Sequence, residues 1–302
     1  MRQFKDRVAV ITGAASGFGL EASRLAAREG MRVVMADLQA EALERAAAEV
    51  RSLGAEVLPF ALDVSQADRV QALAEATRAR FGTPHFVFNN AGVGGVGGLA
   101  WEASLRDWQW TLGVNLMGVV HGVHTFTPMM LAAAEADPAY EGHIVNTASM
   151  AGLVSPPNMA VYNVTKHGVV ALTETLYQDL SLVTDRVRCS VLCPFFVPTG
   201  IHQSERHRPA ALAREAPPTR SQQVARAMAE KAVTHGKLTA ADIARLTFEA
   251  VREDRFYIVS HPKALKGVQT RLEDIVQLRN PSDPFADRPE VGRQLRDALR
   301  GP

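Results

Sequence analysis

The sequence predicts an α/β fold, a doubly wound, seven-stranded parallel sheet with helices on both faces. Two observations predict it. Short apolar runs alternate with longer amphipathic segments along the 302 residues. The apolar runs are continuous, which is typical of strands that are buried on both faces. Strand–helix alternation of this kind implies right-handed βαβ units, so we expect a single domain over residues 1–302.

Seven segments have the composition of strands, and they are residues 8–11, 32–36, 56–60, 85–88, 143–147, 187–192 and 255–259. Between them, residues 39–52 are rich in Ala, Glu, Leu and Arg and end before Gly54, which predicts a helix with a C-terminal stop. Ser65 precedes an acidic first turn in the manner of a helix cap, so another helix is expected from there to about Gly82.

Residues 199–238 break this alternation. They are polar, include Pro209, Pro217 and Pro218, and contain no strand-like run. So long a structureless stretch would be unusual inside a compact domain. We therefore expect a mobile substrate lid that contains short helices.

The C-terminal region, residues 262–302, is expected to hold one helix that ends near Arg279. A proline-rich tail at 280–284 then leads to a basic terminus. Two alternatives stay open for this tail, which is either disordered or packed on a neighbouring subunit.

Composition and charge exclude several classes of function. Hydrophobic residues make up 47% and charged residues 22%, as in ordinary globular proteins. Lys and Arg total 33 and Asp and Glu 32, so the net charge of +1 offers no attraction to nucleic acid or an anionic membrane. No apolar run approaches the ~20 residues of a membrane helix, and the charged residues 1–7 do not resemble a secretory signal. With only Cys189 and Cys193 available for disulfides, a cytoplasmic protein is expected.

A glycine-rich turn follows the first predicted strand and opens a helix. Gly13, Gly17 and Gly19 form the pattern G-x-x-x-G-x-G, with Ser16 directly before Gly17 and Phe18 between Gly17 and Gly19. Glycine permits a tight turn and lets backbone N–H groups approach a ligand, and a helix N-terminus favours a pyrophosphate. A plain turn also needs glycine. The strand–turn–helix context nevertheless fits a Rossmann-type dinucleotide site.

Asp37 ends the second predicted strand, eighteen residues after Gly19. A carboxylate there can accept hydrogen bonds from both adenosine ribose hydroxyls, and it repels a 2′-phosphate. The following residue, Leu38, brings no positive charge, and neither do Gln39 and Ala40. This pattern predicts NAD as the cofactor in preference to NADP. A solvated strand-end aspartate is the simpler alternative.

Tyr162 and Lys166 are four residues apart, which places them on one face of a helix. Ser149 follows the fifth predicted strand, thirteen residues before Tyr162. Coulomb attraction at ~5 Å and an effective dielectric of ~20 amounts to ~3 kcal/mol, or about two pKa units. Lys166 is therefore expected to lower the pKa of Tyr162 toward the range of a general acid–base. Taken alone, the pair also fits a helix face with an exposed lysine.

Together with the glycine turn, these residues resemble the classical short-chain dehydrogenase/reductase family. The matching positions run in family order over about 190 residues, and they are residues 12–19, Asp37, Asp63, Val64, residues 89–92, Asn115, Ser149, residues 162–166, Pro194, Val197 and Thr199. One position departs, because Pro194 is followed by Phe195 and Phe196 where the family commonly has glycine. The two rings either wall an apolar substrate pocket or lie in the core.

The resemblance implies a catalytic set of four residues. Ser149 would hydrogen-bond the substrate oxygen, and Tyr162 would take or give the proton. Lys166 would bind the nicotinamide ribose and lower the Tyr162 pKa. Asn115 would hold the helix geometry and a water behind Lys166.

The resemblance also implies cofactor contacts beyond the glycine turn and Asp37. Asp63 would contact the adenine amino group, with the Val64 backbone beside it. The remaining contacts would line the cofactor or face its carboxamide, and they are Asn90, Ala91, Gly92, Pro194, Val197 and Thr199.

The resulting hypothesis is an NAD(H)-dependent oxidoreductase that interconverts a secondary alcohol and a ketone. The candidate pocket walls suggest a hydrophobic small-molecule substrate, and they are Met150, Ala151, Gly152, Leu153, Val154, Pro156, Pro157, Met159 and Phe196. One alternative is a non-catalytic dinucleotide-binding regulator with the same fold. Another is a nucleotide-sugar epimerase or dehydratase, but these usually carry G-x-x-G-x-x-G and a larger substrate domain.

The family resemblance also implies a homo-oligomer, a tetramer or a dimer, in which helices at about 104–134 and 158–182 pair across a two-fold axis. Small residues, including Gly118, Gly122, Gly168 and Ala171, would allow the close approach of two subunits.

Two further groups have simpler interpretations than a binding site. His121 and His124 share a helix face but have no accompanying ligand set, so no metal site is expected. The basic cluster at 206–208 is expected to be a solvated loop, with an anion site as the alternative.

Overall fold

The structure, a computed structural model, describes residues 1–300. Its strands are β1 Val8–Thr12, β2 Arg32–Asp37, β3 Val57–Ala61, β4 Phe86–Asn89, β5 Gly142–Thr147, β6 Val187–Cys193 and β7 Tyr257–Val259. They form one parallel sheet in the order β3-β2-β1-β4-β5-β6-β7. The α/β class and the seven parallel strands predicted from the sequence are confirmed.

The α-helices of the described residues are α1 Gly17–Arg28, α2 Ala40–Ser52, α3 Ala67–Phe81, α4 Leu105–Leu112, α5 Gly118–Ala136, α6 Ala160–Val183, α7 Arg220–Thr234, α8 Ala240–Arg252, α9 Leu265–Val276 and α10 Pro289–Arg300. A π-helical turn, Gly113–Met117, joins α4 to α5. Short 3₁₀ helices occupy Met150–Gly152, Gly200–His207, Ala210–Leu212 and Pro262–Ala264.

Helices cover both faces of the sheet. Helices α1, α2 and α8 pack on one face, against side chains such as Ile11 and Phe88. Helices α3, α5 and α6 pack on the other, against Val10 and Val87. All residues of β1 and β4 are buried. This burial on both faces explains why the strand sequences are continuously apolar.

The chain reverses direction across the sheet between β1 and β4. Strands β1, β2 and β3 extend toward one edge, and the chain then returns so that β4 pairs with β1. In an open parallel sheet such a reversal leaves a crevice at the carboxyl ends of the strands. The loops after β1 and β4 therefore meet at the place where a ligand is expected.

Helix α3 begins later than the sequence suggested. Its N-cap is Gln66, whose side chain makes no capping hydrogen bond. The backbone N–H of Ser65 instead donates to Asp63 Oδ1 at 2.9 Å. Ser65 thus belongs to the turn that fixes Asp63, and its expected role as a helix cap is wrong.

Residues 199–238, hereafter the 199–238 segment, consist of two 3₁₀ helices followed by α7. Helix α7 has fifteen residues, which is longer than the short helices expected. It starts with a capping box in which Thr219 and Gln222 satisfy each other's backbone N–H groups. The Glu102 carboxylate also accepts hydrogen bonds from Thr219 and Ser221, so the start of α7 is fixed to the loop before α4.

The C-terminal tail packs on its own chain over the described residues. Arg220 Nε of α7 donates to the Ala298 carbonyl of α10 at 2.5 Å. Asp274 accepts from the backbone N–H and the hydroxyl of Ser282 at 2.8 and 3.1 Å, which ties the proline-rich stretch to α9. The tail contains α10 and is therefore not disordered over the described residues, and two α-helices rather than the expected one follow residue 262. Packing on a neighbouring subunit stays a prediction.

The glycines that were expected to bring subunits together are used inside the chain. A Cβ on Gly118 would lie 2.7 Å from a Val64 methyl, and one on Gly122 would lie 2.0 Å from Asn89 Oδ1. A Cβ on Gly168 would lie 3.0 Å from a Leu116 methyl. Of the four small residues, only Ala171 is exposed.

The continuous helical stretch Leu105–Ala136 is long and apolar enough to cross a membrane by length and composition alone, with a mean hydropathy of 1.2. This corrects the expectation that no segment approaches that length. The stretch lies against α3, α6 and strands β4 and β5. Core helices often pass the same test, although only 33% of its most apolar window is buried within this chain.

Candidate active site

The glycine turn connects β1 to α1 at the crevice. Gly13 and Gly17 have φ values of +66° and +55°, which disfavour a residue with a side chain. A Cβ on Gly13 would also lie 3.0 Å from the Ala91 Cα, in the loop that follows β4. Glycine is therefore required both by the backbone conformation and by the close approach of the two loops.

Thr12 fixes the turn to the loop after β4. Its hydroxyl donates to the Phe88 carbonyl at 3.4 Å and accepts from the N–H groups of Asn90 and Ala91 at 2.9 and 3.0 Å. The Asn90 side chain donates in turn to the Thr12 carbonyl at 3.0 Å. Sequence reasoning gave Thr12 no role, although its position directly before Gly13 was a usable signal.

Asp37 lies at the end of β2 beside the turn. Its two carboxylate oxygens accept backbone hydrogen bonds from Ala15 and Gln39, both at 3.0 Å. These contacts fix the orientation of the carboxylate toward the crevice. Leu38, the next residue, is half exposed.

Ser149, Tyr162 and Lys166 meet where β5 and α6 converge. Lys166 is 3% exposed, and its Nζ donates to the Thr147 carbonyl at 2.8 Å. The same Nζ lies 5.7 Å from the centre of the Tyr162 ring. The Ser149 hydroxyl accepts from the Ala151 N–H at 3.1 Å and makes only a long contact, 3.4 Å, with the Pro194 carbonyl. Its proton is thus available to another acceptor.

Burial dominates the ionisation of this pair. It raises the pKa of Tyr162 to about 12, and the Ser149 hydroxyl only partly opposes it. It also lowers the pKa of Lys166 to about 8. The expectation that Lys166 brings the Tyr162 pKa down is therefore wrong for the free chain, because it counted the attraction of the ammonium and omitted the loss of water around both groups.

Asn115 lies behind the site rather than in it. Its side-chain amide donates to the Val93 carbonyl at 2.9 Å, and its Oδ1 accepts from the Val93 N–H at 2.8 Å. A longer bond, 3.4 Å, reaches the Thr165 hydroxyl on α6. Asn115 belongs to the π-helical turn, an irregularity often found at functional sites. It joins the loop after β4 to the helix that carries Tyr162.

One cavity of about 340 Å³ contains nearly all of the predicted site residues. The predicted cofactor and catalytic residues that line it are Gly13, Ser16, Gly17, Phe18, Asp37, Leu38, Asp63, Val64, Asn90, Ala91, Gly92, Ser149, Tyr162, Lys166, Pro194, Val197 and Thr199. Two predicted residues do not line it. Asn115 is fully buried behind it, and Gly19 packs so tightly that a Cβ would lie 2.2 Å from the Gly13 carbonyl oxygen.

The far end of the cavity is mainly apolar. Six of the nine predicted wall residues line it, and they are Met150, Ala151, Val154, Pro156, Met159 and Phe196. Gly152, Leu153 and Pro157 do not line it. Phe195 lines the cavity as well, with its ring centre 4.6 Å from that of Phe196 in an edge-to-face arrangement. Of the two alternatives for these rings, the structure favours the pocket wall.

The sequence predicted residues 199–238 as a substrate lid, but it did not single out the side chains by which this segment and α4 line the cavity. The missed residues include Trp110, Ile201, His202, Ser204, Arg206, His207, Pro209, Ala229 and Val233. The basic cluster at 206–208 was the one available signal, and it was interpreted as a solvated loop. That interpretation is wrong for Arg208, whose side chain is 4% exposed and pairs with Asp107 Oδ1 at 2.6 Å.

The two histidines that were weighed as a metal pair have other surroundings. His121 Nδ1 lies 2.9 Å from the Val64 carbonyl oxygen, which joins α5 to the loop after β3. Over residues 1–300, no group of three or more His, Cys, Asp or Glu side chains is arranged to hold a metal ion.

Known proteins that are similar to this chain identify the family to which it belongs. The short chain dehydrogenase family matches residues 7–210, about two thirds of the chain. This chain is a short-chain dehydrogenase. As a member of that family it is an oxidoreductase that binds a nicotinamide dinucleotide and acts on a small molecule.

The short-chain dehydrogenase resembles several known proteins over most of its length. It is 34% identical over 280 residues to a CLA biosynthesis dehydrogenase/reductase of Lactiplantibacillus plantarum, with 91% of this chain and 95% of the relative covered. It is 35% identical over 282 residues to a 1-deoxy-11-beta-hydroxypentalenate dehydrogenase of Streptomyces exfoliatus, with 92% of each covered. A crystal structure of a short chain dehydrogenase/reductase from Burkholderia phymatum in complex with NAD superimposes with a TM-score of 0.91 at 53% identity, covering 95% and 100%.

The crevice of this short-chain dehydrogenase fits a dinucleotide on its own geometry. The backbone of the glycine turn comes within van der Waals distance of the loop after β4, and α1 begins at that turn with its N–H groups toward the crevice. A fixed carboxylate, that of Asp37, stands at one end, and the Tyr162–Lys166 pair stands at the other. The N–H groups of α1 suit a pyrophosphate, the Asp37 carboxylate suits the hydroxyls of the adenosine ribose, and the Tyr162–Lys166 pair suits the hydroxyls of the nicotinamide ribose.

Proposed function

We propose that this short-chain dehydrogenase interconverts a hydrophobic secondary alcohol and the corresponding ketone, with NAD(H) as cofactor. The observation that carries the proposal is the convergence of Ser149, Tyr162 and Lys166 on one cavity that continues into an apolar wall. The bound nicotinamide would supply the chemistry of hydride acceptance and donation. Residues of the chain would bind the substrate, position the cofactor and transfer the proton.

Tyr162 would transfer the proton between its hydroxyl and the substrate oxygen. Because burial raises its pKa to about 12, the free chain holds a neutral phenol at pH 7, which suits proton donation to a ketone. Ser149 would hydrogen-bond the same substrate oxygen, since its own proton has only a long intramolecular contact. Oxidation of an alcohol would require Tyr162 to lose its proton first.

Lys166 would act on Tyr162 through its charge and would hold the nicotinamide ribose. Its ammonium is buried between α6 and β5, and a Cβ on Gly92 would lie only 3.7 Å from its Nζ. Asn115 would position rather than react, because its hydrogen bonds to Val93 and Thr165 fix the loop and the helix that flank Lys166.

The preference for NAD is supported by Asp37. Its carboxylate is held at the strand end by two backbone N–H groups and would repel a 2′-phosphate. Two residues of the 199–238 segment act against this preference. Arg206 is positively charged and lines the cavity, and it donates to His207, whose Nε2 lies 3.3 Å from Gln39 Nε2 near the Asp37 strand end. Partial burial and the nearby Arg206 lower the pKa of His207, so it is neutral at pH 7 and offsets Asp37 little.

We also propose a cytoplasmic homo-oligomer, either a tetramer or a dimer, that pairs through α5 and α6. Only a third of the most apolar window in the stretch Leu105–Ala136 is buried within the chain. Met117 and Val164 are 40% and 48% exposed. A second copy that covered such side chains would gain the free energy of apolar burial. Light scattering at micromolar concentration tests this, and a monomer would contradict it.

The test of function is turnover. The purified protein, given NAD or NADP and a panel of cyclic, aromatic and aliphatic secondary alcohols, should reduce NAD with at least one apolar member of the panel, read as NADH absorbance. The competing hypothesis is a non-catalytic dinucleotide-binding regulator, which would bind NADH but turn over no member of the panel in either direction. The epimerase alternative lacks support, because the turn does not have the G-x-x-G-x-x-G pattern.

A further inference from the structure

The first part of the 199–238 segment lies across the dinucleotide crevice. At one end, a Cβ on Gly17 would lie 3.6 Å from the Thr199 methyl group. In the middle, Ser204 Oγ accepts from the Gly94 N–H at 2.9 Å. At the other end, His207 reaches Gln39, two residues after Asp37. Residues 199–207 therefore cover the crevice from the glycine turn to the end of β2.

Arg206 brings an uncompensated positive charge to this cover. Its Nη1 donates to Gln203 Oε1 at 2.7 Å and its Nε donates to His207 Nε2 at 2.8 Å, both of which are neutral acceptors. The neighbouring arginines differ, because Arg208 pairs with Asp107 and Arg214 pairs with Glu205. Within residues 1–300, Arg206 makes no ion pair.

The remaining guanidinium donor of Arg206 lies beside Gly200, within the part of the segment that covers the crevice. A Cβ on Gly200 would lie 3.1 Å from Arg206 Nη2, so the tip of the side chain rests against the residue that follows Thr199. Thr199 in turn contacts Gly17, at the N-terminus of α1. Arg206 also lines the cavity itself.

We propose that Arg206 binds the pyrophosphate of the dinucleotide from the side opposite the glycine turn. The backbone N–H groups of α1 then face the anion from one side and a guanidinium faces it from the other. Both kinds of donor complement phosphate oxygens, and arginine does so with two parallel hydrogen bonds. The inference rests on the proposed use of the crevice for NAD(H), and it gives the 199–238 segment a direct part in cofactor affinity.

The test is the equilibrium binding of cofactor fragments. NADH affinity is measured by fluorescence, and ADP-ribose and adenosine are measured by competition, for the wild type, Arg206→Gln and Arg206→Lys. Arg206→Gln should weaken NADH and ADP-ribose by the same factor, roughly tenfold, and should leave adenosine within about twofold. Arg206→Lys should recover part of the loss. The decline of affinity with salt should also become shallower in Arg206→Gln.

Arg214→Gln is the matched control, because it removes a guanidinium of the same segment that pairs with Glu205 and does not line the cavity. It should bind all three ligands as the wild type does. Unchanged NADH affinity in Arg206→Gln would overturn the inference. So would an equal loss with adenosine, which would move the effect of Arg206 away from the pyrophosphate. A wild type that binds no NADH would instead refute the proposed function itself.

Discussion

The cavity is made by two regions that are held together in different ways. The dinucleotide side consists of strand ends and short loops, and its residues are fixed by buried neighbours within the sheet. For example, the Thr12 hydroxyl accepts hydrogen bonds from the backbone N–H groups of the loop after β4, and the Lys166 ammonium donates to the Thr147 carbonyl. The second region is the 199–238 segment, which lies across both the dinucleotide crevice and the apolar end of the cavity. It is attached by hydrogen bonds and ion pairs to α4 and to the loop between β4 and α4.

The contacts of the second region join residues that are far apart in sequence. Arg208 pairs with Asp107, 101 residues away, and both side chains are about 5% exposed or less. Burial pushes the pKa of Asp107 up, but hydrogen bonds from Ser104 and Arg208 outweigh it and hold the pKa below its usual range. The first region is part of the sheet, whereas the second is held by contacts outside the sheet, so we expect the second to open without unfolding of the sheet.

This difference explains what could be predicted. The glycine turn, the strand-end aspartate and the Tyr162–Lys166 spacing reflect local backbone and helix geometry, so a pattern in the sequence reveals them. All seven strands and most of the cavity lining follow from such patterns. The exceptions, Gly19 and Asn115, support the site from behind.

The 199–238 segment has no comparable local pattern. Nothing in the sequence near Arg208 indicates that its partner lies on α4, and nothing near Arg220 indicates a carbonyl of α10. The sequence predicted the wrong direction for the shift of the Tyr162 pKa for a related reason. A charge four residues away can be counted from the sequence, but the burial of both groups depends on the tertiary structure.

The largest expected effect concerns the dinucleotide side of the cavity. Tyr162→Phe should reduce turnover by roughly 10²–10⁴-fold, because it removes the group that transfers the proton. NADH affinity should stay within a few fold. The control is Tyr257→Phe, which removes an exposed hydroxyl that donates to Glu174 at 2.6 Å, away from the cavity. More than about a tenth of the wild-type rate in Tyr162→Phe would contradict the role.

The next effect concerns the attachment of the 199–238 segment. Arg208→Met leaves Asp107 buried without its partner, which typically costs about 3 kcal/mol. Because the segment can open alone, we expect its rate of proteolytic cleavage to rise by roughly a hundredfold while the melting temperature of the sheet changes little. Arg214→Met, at a more exposed pair, should change neither. Loss of the whole fold in Arg208→Met would show that the two regions are not separable.

A smaller effect is expected for cofactor preference, which also depends on the dinucleotide side of the cavity. Asp37→Asn removes the negative charge and keeps one of the two oxygens that accept from the backbone N–H groups of Ala15 and Gln39. The ratio of kcat/KM for NAD to that for NADP should fall by about tenfold, because repulsion of the 2′-phosphate is lost. Equal efficiency with both cofactors in the unmodified enzyme would refute the assignment before any substitution is made.

The pH dependence of the reaction tests the protonation state of Tyr162, on the same side of the cavity. Because burial raises the pKa of Tyr162 to about 12 in the free chain, alcohol oxidation draws on a small deprotonated fraction at neutral pH. The kcat/KM for oxidation should therefore rise with pH between 7 and 8, by up to about tenfold, and rise less steeply above pH 8, where Lys166 loses its charge. The kcat/KM for ketone reduction should not rise. A flat oxidation profile would mean that cofactor binding lowers the Tyr162 pKa below 7.

The smallest expected effect decides whether the 199–238 segment moves during the reaction. It lines the cavity with Ile201, Pro209 and Val233, and its attachments lie outside the sheet, as in the Arg208–Asp107 pair and the hydrogen bond from Thr219 to Glu102. We propose that it is a lid that opens for exchange and orders when cofactor and substrate bind, which would exclude water from the reacting groups. Hydrogen exchange should then slow several-fold in this segment on addition of NAD with a substrate analogue. In β6, which is buried except at the partly exposed Arg188, exchange should stay the same. Equal protection of the segment with and without ligands would make it a fixed wall, and the two regions would then differ in how they are attached but not in how they move.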